Sequence, residues 1–306
     1  MNRSTMSPAT EAVDHVRKVV SLQVMGMSRL VIDPATQRSL HTVAARAGEQ
    51  LRVIERLVKS GLLDPFCRVT VAQEQSTPAP DERRSRVGVY PIAADPIHWG
   101  HILVGLTAMA SMRLDKVVYV IAGIDPRKPE MVQAGIRHRL GRSVIELFSP
   151  FLAYSPLALG TDLDGETNFG RLLALNERQK MDAFYLAGAD HYRRTNDRGE
   201  PDTIAKLERV VEQHNHRCAD RHKVSVVFVR RAGVPELSSP VATSLRVHVL
   251  PPLDLHFSST AIRRALCDPT RSAALASLPY ASLNDIRVHG LYVHGRECAE
   301  LDGTHG

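Results

Sequence analysis

Two histidines, His98 and His101, carry the clearest chemical signal in the chain. Residues 87–90 are rich in β-branched and aromatic side chains and predict a buried strand, whereas residues 102–104 can open a helix. The histidines therefore lie at a strand-to-helix turn, where Gly100 lets a ligand approach the backbone closely. Imidazole N–H groups and the amides at a helix N-terminus both donate to anions, so the pattern indicates a triphosphate site.

A second cluster with phosphate-binding chemistry lies far downstream. It begins with three hydroxyl side chains, Ser258, Ser259 and Thr260, and ends at Arg263. Serine and threonine favour the N-cap of a helix, and residues 261–266 can propagate one. An arginine one turn into that helix can make bidentate contacts to phosphate oxygens. The sequence therefore predicts that both clusters bind one nucleotide.

The two clusters resemble signatures of the nucleotidylyltransferase superfamily, in particular its nicotinate or nicotinamide mononucleotide adenylyltransferases. Residues 95–101 are similar to the family's Asp-Pro-x-His-x-Gly-His, and residues 258–263 to its Ser-Ser-Thr-x-Ile-Arg. Residues 125–128 resemble its lysine-bearing loop, residues 185–190 its strand ending in Gly-Ala-Asp, and residues 288–292 its closing His-Gly-Leu-Tyr. These segments occur in the family's order.

The resemblance implies an adenylyltransferase of NAD biosynthesis that joins ATP and a pyridine mononucleotide and releases pyrophosphate. It implies that His98, His101 and Arg263 are the catalytic residues, with the two histidines on the α- and β-phosphates. Substrate-binding residues would be Lys128 for phosphate charge, Gly188 and Asp190 for the adenosine ribose, and Ser258, Ser259 and Thr260 near the β/γ end. Mg²⁺ is expected to complete the phosphate clamp, and no protein metal site is expected.

Two departures from the family pattern leave the acceptor open. Residues 91–94 read Pro-Ile-Ala-Ala where the family has a glycine-rich run, and proline supplies no N–H. The family's tryptophan after Gly-Ala-Asp is missing, and the chain's single tryptophan is Trp99. Alternatives are therefore nucleotidylyl transfer to another phosphorylated acceptor, or a nucleotide-sensing regulator with a DNA-binding N-terminal module.

The order of apolar runs predicts an α/β fold, a Rossmann-like parallel sheet with helices on both faces. The strand candidates are residues 87–90, 117–121, 184–187, 224–229 and 245–250, and helix candidates between them include residues 137–148 and 204–214. The predicted division of the chain is a helical N-terminal domain at residues 1–72, a linker at 73–86, the nucleotidylyltransferase domain at 87–293 and a tail at 294–306.

The N-terminal region predicts helices that begin at Ser7-Pro8 and Asp33-Pro34, each an N-cap residue followed by proline. Gly48 interrupts the second apolar pattern, which fits either one long helix or two short ones meeting at an angle. Residues 42–63 resemble the helix-turn-helix of MerR-like regulators. The favoured interpretation is instead an amphipathic helical pair used for dimer contacts or for docking on the catalytic domain.

Composition bounds the remaining classes. At 306 residues the chain is long enough for about two domains, since domains commonly have about 100–200 residues. The net charge of +6 is spread along the chain, which fits a basic surface around a polyphosphate site and does not demand nucleic acid. No apolar run could span a bilayer and no signal segment begins the chain, so a cytoplasmic enzyme with small-molecule substrates is expected. A homo-oligomer remains open.

Cysteine and histidine spacing suggests no framework of disulfides or metal. Cys67, Cys218, Cys267 and Cys298 have no paired spacing, which fits a reducing compartment. Residues 214–222 contain three histidines and a cysteine, but the spacing matches no structural zinc pattern. We interpret this stretch as a solvated polar segment.

Overall fold

The structure is a computed structural model that describes residues 7–31, 33–73, 83–125, 128, 130–193, 195, 199, 202–218, 221–231, 243–253, 257–267 and 274–292. Within these ranges, the side chains of Asp190, Arg193, Arg231 and residues 216–218 are not described. The predicted tail at 294–306 and most of the predicted linker at 73–86 lie outside the described residues.

A six-stranded parallel sheet forms the centre of the molecule, in the order β3-β2-β1-β4-β5-β6. The chain starts in the middle of the sheet, builds outward to β3 and returns to the other side at β4. Ligands bind such sheets at the carboxyl ends of the strands where the order reverses, here between β1 and β4. The strands are β1 Ser85–Ile92, β2 Lys116–Ile121, β3 Leu152–Ser155, β4 Met181–Gly188, β5 His222–Arg231 and β6 Arg246–Leu253.

Helices cover both faces of the sheet, as predicted. The helices are α1 Pro8–Ser28, α2 Pro34–Lys59, α3 Trp99–Met112, α4 Ala134–Ile145, α5 Gly165–Leu175, α6 Asp202–Cys218, α7 Ser259–Cys267 and α8 Tyr280–Val288. Alternate residues of β1 show the two cores: Val87 and Val89 pack with the residues of α5 and α6, whereas Tyr90 and Ile92 pack with those of α3 and α4. The α/β prediction is confirmed.

The N-terminal helices begin where their caps predict. The Ser7 side chain accepts a hydrogen bond from the Thr10 amide at 3.3 Å, and Asp33 accepts one from the Thr36 amide at 2.8 Å. Helix α2 continues through Gly48 without a break, so the turn required by a helix-turn-helix in residues 42–63 is absent. That interpretation is wrong because Leu40, Val43, Ala47, Leu51, Ile54 and Val58 form one continuous buried stripe.

Helices α1 and α2 dock on the rest of the protein. Helix α2 packs against α3 and α1 against α8, and their buried residues join the same core as one face of the sheet. Gly26 lies directly against the ring of Tyr280, and the Gln23 side chain accepts a hydrogen bond from the Ala281 amide at 2.7 Å. An ion pair between Arg17 and Glu55, 2.8 Å long, links the two helices. The docking interpretation is the one that the packing supports.

Two expectations about histidine and cysteine are wrong. His214 and His222 are buried and hydrogen-bonded to each other at 2.6 Å, so they are not part of a solvated segment. Cys67 is buried and free, whereas Cys267 is in a disulfide whose partner side chain lies outside the described part. Among the described residues no group of three or more His, Cys, Asp or Glu side chains could hold a metal ion. No described helix is long and apolar enough to cross a membrane.

Candidate active site

The two histidines form a capping arrangement at the start of α3. His98 is the N-cap, with extended backbone, and its Nδ1 accepts a hydrogen bond from the Gly100 amide at 3.1 Å. His101 Nδ1 accepts one from the His98 amide at 3.3 Å. The rings stack with their centroids 3.9 Å apart. The predicted strand-to-helix turn is therefore present, and it fixes both imidazoles relative to the helix end.

These hydrogen bonds determine the tautomer of each neutral ring. A nitrogen that accepts a backbone N–H carries no proton, so the proton of each neutral imidazole is on Nε2. Nε2 of His98 and of His101 is therefore the donor atom of each ring. With the amides at the N-terminus of α3, this gives a set of donors suited to an anion.

Asp95 joins the two sequence clusters. Arg263 Nη1 donates to the Asp95 carbonyl at 2.8 Å and lies 3.4 Å from its carboxylate, and Tyr292 Oη donates to the same carboxylate at 2.9 Å. Burial raises the pKa of Asp95, against the effects of Tyr292 and Arg263. Three motifs separated by as many as 197 positions therefore meet at one buried carboxylate.

The start of α7 packs directly on the start of α3. A Cβ atom on Gly100 would lie 2.8 Å from Phe257 Cβ and 2.8 Å from His98 Cε1, so only glycine fits there. The rings of His98 and Phe257 stack at 5.9 Å. Ser258 then caps α7, because its hydroxyl accepts a hydrogen bond from the Ala261 amide at 3.2 Å. The helix start predicted for this cluster is confirmed.

Arg137 fixes the loops that follow β1 and β2. It is buried, with 1% of its surface exposed, and donates to the carbonyls of Val132, Ala93, Ala122 and Gly123. Burial lowers the pKa of Arg137, against the effect of Asp95. Residues 91–94 thus have a firm backbone despite lacking the glycine-rich run. Ala94 adopts a left-handed conformation with φ of 51°, which a glycine adopts more readily.

A cavity of about 630 Å³ opens at the carboxyl ends of β1, β2 and β4. Its walls include Pro91 and Ala93 of the β1 end, Tyr185 of β4, and the first turns of α5 and α6. The cavity reaches Ala93, two positions before Asp95, and Asp95 lies just before the turn that carries the two histidines. The position of the cavity at the strand ends, where parallel sheets bind ligands, makes it a candidate substrate pocket.

The structure brings some of the predicted residues together and places others apart. His98, His101, Ser258, Thr260 and Arg263 belong to the joined helix starts; Thr260 Oγ1 lies 3.4 Å from Arg263 Nη2. Ser259 is the first residue of α7. Lys128 lines the cavity. Gly188 ends β4, at the same sheet edge, and the side chain of Asp190 lies outside the described residues.

Several residues of the site escaped sequence reasoning. Phe257, Arg137 and Glu166 bear no motif signal, and Tyr185 and Tyr292 were noted only as parts of longer motif segments. Each acts through a contact with a distant part of the chain, which no local pattern encodes. Trp99, by contrast, is fully buried against Phe148 and is core rather than site.

The relatives that this chain matches share one name, probable nicotinate-nucleotide adenylyltransferase. No family model matches the chain. It is 28% and 29% identical to probable nicotinate-nucleotide adenylyltransferases from two strains of Thermus thermophilus, over 68% of this chain and 99% of each relative. A relative of the same name from Thermoanaerobacter is 26% identical over 115 residues, and the chain spans 53% of its length.

A solved structure shares the fold. The Plasmodium falciparum nicotinic acid mononucleotide adenylyltransferase complexed with NaAD superposes with a TM-score of 0.51 and 13% identity, covering 68% of this chain and 98% of that one. The chain therefore shares the fold of that enzyme, and in sequence it resembles the nicotinate-nucleotide adenylyltransferases.

Proposed function

We propose that this protein transfers the adenylyl group of ATP to the 5′-phosphate of a pyridine mononucleotide, giving a dinucleotide and pyrophosphate. The observation that carries the proposal is the contact between Arg263 and Asp95, which unites the two phosphate-binding clusters at the switch point of the sheet. The similarity to the adenylyltransferases named above supports the same reaction.

In this reaction the acceptor phosphate attacks the α-phosphorus of ATP, and the bond to the bridging oxygen of pyrophosphate breaks. The nucleophile is already an anion, so no protein base is required. The residues here act by holding two repelling phosphates in line and by donating to oxygens on which charge develops. We assign Nε2 of His98 and of His101 to the α- and β-phosphates, and Arg263, Ser259 and Thr260 to the β/γ end.

The remaining substrate contacts follow from position at the sheet edge. We assign Lys128 to phosphate charge, since it lines the cavity between the ends of β1 and β2. Gly188 at the end of β4 and Asp190 just beyond it are assigned to the adenosine ribose. Ser258 would hold α7 in place through its cap.

Mg²⁺ would enter with the phosphates of ATP. This ion prefers substrate phosphates and water over a cage of protein ligands, and the described residues form no such cage. When bound it would neutralise charge on the phosphate oxygens.

The first prediction concerns His98. Replacing it by asparagine keeps a good N-cap, because the amide oxygen can accept from the Gly100 amide, but removes the Nε2 donor. We expect His98→Asn to retain the stability of the parent and to lose at least about a hundredfold in pyrophosphate release with ATP and a pyridine mononucleotide. The product dinucleotide is identified by mass, and thermal unfolding is the folding control. An unchanged rate in the folded variant contradicts the assignment.

A further inference from the structure

We call the cavity at the carboxyl ends of β1, β2 and β4 the acceptor cavity, because the pyridine mononucleotide would bind there. Most of the charged side chains in its lining are negative. Its lining contains carboxylates from the loop after β2, from the start of α5 and from the start of α6, and two lysines. The carboxylates are Asp125, Asp162, Asp164, Glu166 and Asp202, and the lysines are Lys128 and Lys206. Lys206 Nζ lies 3.4 Å from both Asp164 and Asp202, so its charge is shared between two carboxylates of the wall.

The N-terminus of α5, which would ordinarily attract an anion, is already occupied by two carboxylates of the chain, Asp164 and Glu166. The N-terminus of α5 faces the cavity, and a helix N-terminus favours negative charge. Asp164 caps it, accepting a hydrogen bond from the Thr167 amide at 2.8 Å, and Glu166 lies in its first turn. These two carboxylates neutralise the helix end before a ligand arrives.

Glu166 is a buried acidic group of this wall. It has 7% of its surface exposed, and its Oε1 accepts a hydrogen bond from the Tyr185 hydroxyl at 2.9 Å. Burial raises the pKa of Glu166, and the nearby Asp164 adds to the rise. Gly165 holds this turn close to β1, since a Cβ there would lie 2.8 Å from both Pro91 and the Tyr185 hydroxyl. The Glu166 carboxyl is therefore fixed at the cavity wall.

We infer that the acceptor bound in this cavity carries a carboxamide rather than a carboxylate on its pyridine ring. The inference rests on the proposed function and selects nicotinamide mononucleotide over nicotinate mononucleotide. A carboxamide N–H₂ can donate to a carboxylate such as Glu166, whereas a carboxylate beside it adds like-charge repulsion. A site with a buried polar group that hydrogen-bonds one substituent discriminates strongly against a ligand whose substituent cannot make that hydrogen bond. The relatives named above carry nicotinate in their names, so this chain would differ from them in acceptor.

The test compares kcat/KM for the two mononucleotides with saturating ATP, with the dinucleotide product identified by mass. We expect the carboxamide to be favoured by at least about tenfold. In Glu166→Gln, which removes the charge while keeping an oxygen for Tyr185, the ratio should fall several-fold through improved use of the carboxylate. Glu146→Gln on the exposed side of the molecule is the matched control and should keep the parent ratio.

Each outcome either supports or overturns the preference for the carboxamide acceptor. Equal use of the two acceptors, or preference for nicotinate mononucleotide, overturns the inference while leaving the adenylyl transfer intact. An unchanged ratio in a folded Glu166→Gln removes the role of that carboxyl. If neither mononucleotide yields a dinucleotide, the proposed function itself fails and the inference fails with it.

Discussion

Among the described residues, buried histidine side chains lie in two contrasting kinds of environment. His98 is held at a helix start, where its ring caps an amide and stacks on a neighbour. His138 and His222 are instead buried away from that turn; the first bonds Tyr154 and the second bonds His214. At the residue scale, histidine alone indicated chemistry, but only the surroundings distinguish a ring at a helix start from a ring in the core.

The buried histidines His138 and His222 make the free energy of unfolding depend on pH. Burial lowers the pKa of His138 and of His222 to about 4, with smaller contributions from Arg137 and His214 respectively. Histidine in an unfolded chain titrates near 6.5. As the pH falls from about 6.5 to 4, the unfolded chain gains protons that the folded chain does not, so the free energy of unfolding decreases through this window and then levels off.

Urea unfolding at a series of pH values between about 7 and 4 measures how steeply the free energy of unfolding changes with pH, which is the slope in question. His138→Gln should make it shallower, because glutamine can still accept the Tyr154 hydroxyl but takes up no proton. An identical slope in variant and parent would show that His138 does not titrate as described.

Elements near the strongest motifs could be predicted, and short or partly exposed ones could not. The turn before α3 and the cap of α7 follow from glycine, histidine and serine at fixed positions. Strand β3 was missed because four residues, two of them half-buried, give no alternation to detect. Helix α5 was missed although Asp164 is a good N-cap. Because α5 was missed, Glu166 and most of the lining of the acceptor cavity were not predicted either.

A pair of glycine substitutions tests the element contacts. Gly100→Ala places a methyl group against Phe257 and should separate α3 from α7, lowering pyrophosphate release at least about tenfold. Gly48→Ala meets nothing within 4 Å in the middle of α2, so it should raise the free energy of unfolding by about 0.5–1 kcal/mol without changing activity. Chemical unfolding and the pyrophosphate assay are run on both.

Opposite results in the two variants would bear on different contacts of the protein. Full activity in Gly100→Ala would mean that the close approach of α3 and α7 is not needed. Destabilisation by Gly48→Ala would mean that α2 bends at that position, as a helix-turn-helix requires.

At the scale of the whole molecule, the sheet order brings three motifs to one edge, and the N-terminal helices pack on α3 and α8 over one face of the sheet. The class of fold followed from the alternation of apolar runs, but the docking of α1 and α2 did not, since their stripe would serve a partner equally well. The contact between Tyr292 and Asp95 joins residues 197 positions apart in the chain. No spacing rule predicts such contacts, because they depend on the finished topology.

The central claim is that the helix starts of α3 and α7 hold one polyphosphate. A double-mutant cycle measures it most directly, with His98→Asn, Arg263→Lys and the pair assayed by kcat/KM for pyrophosphate release. Residues that act on the same group lose activity non-additively, so the double variant should be much more active than the product of the two single losses predicts. Losses that multiply independently, in variants that unfold at the parent's temperature, would contradict the claim.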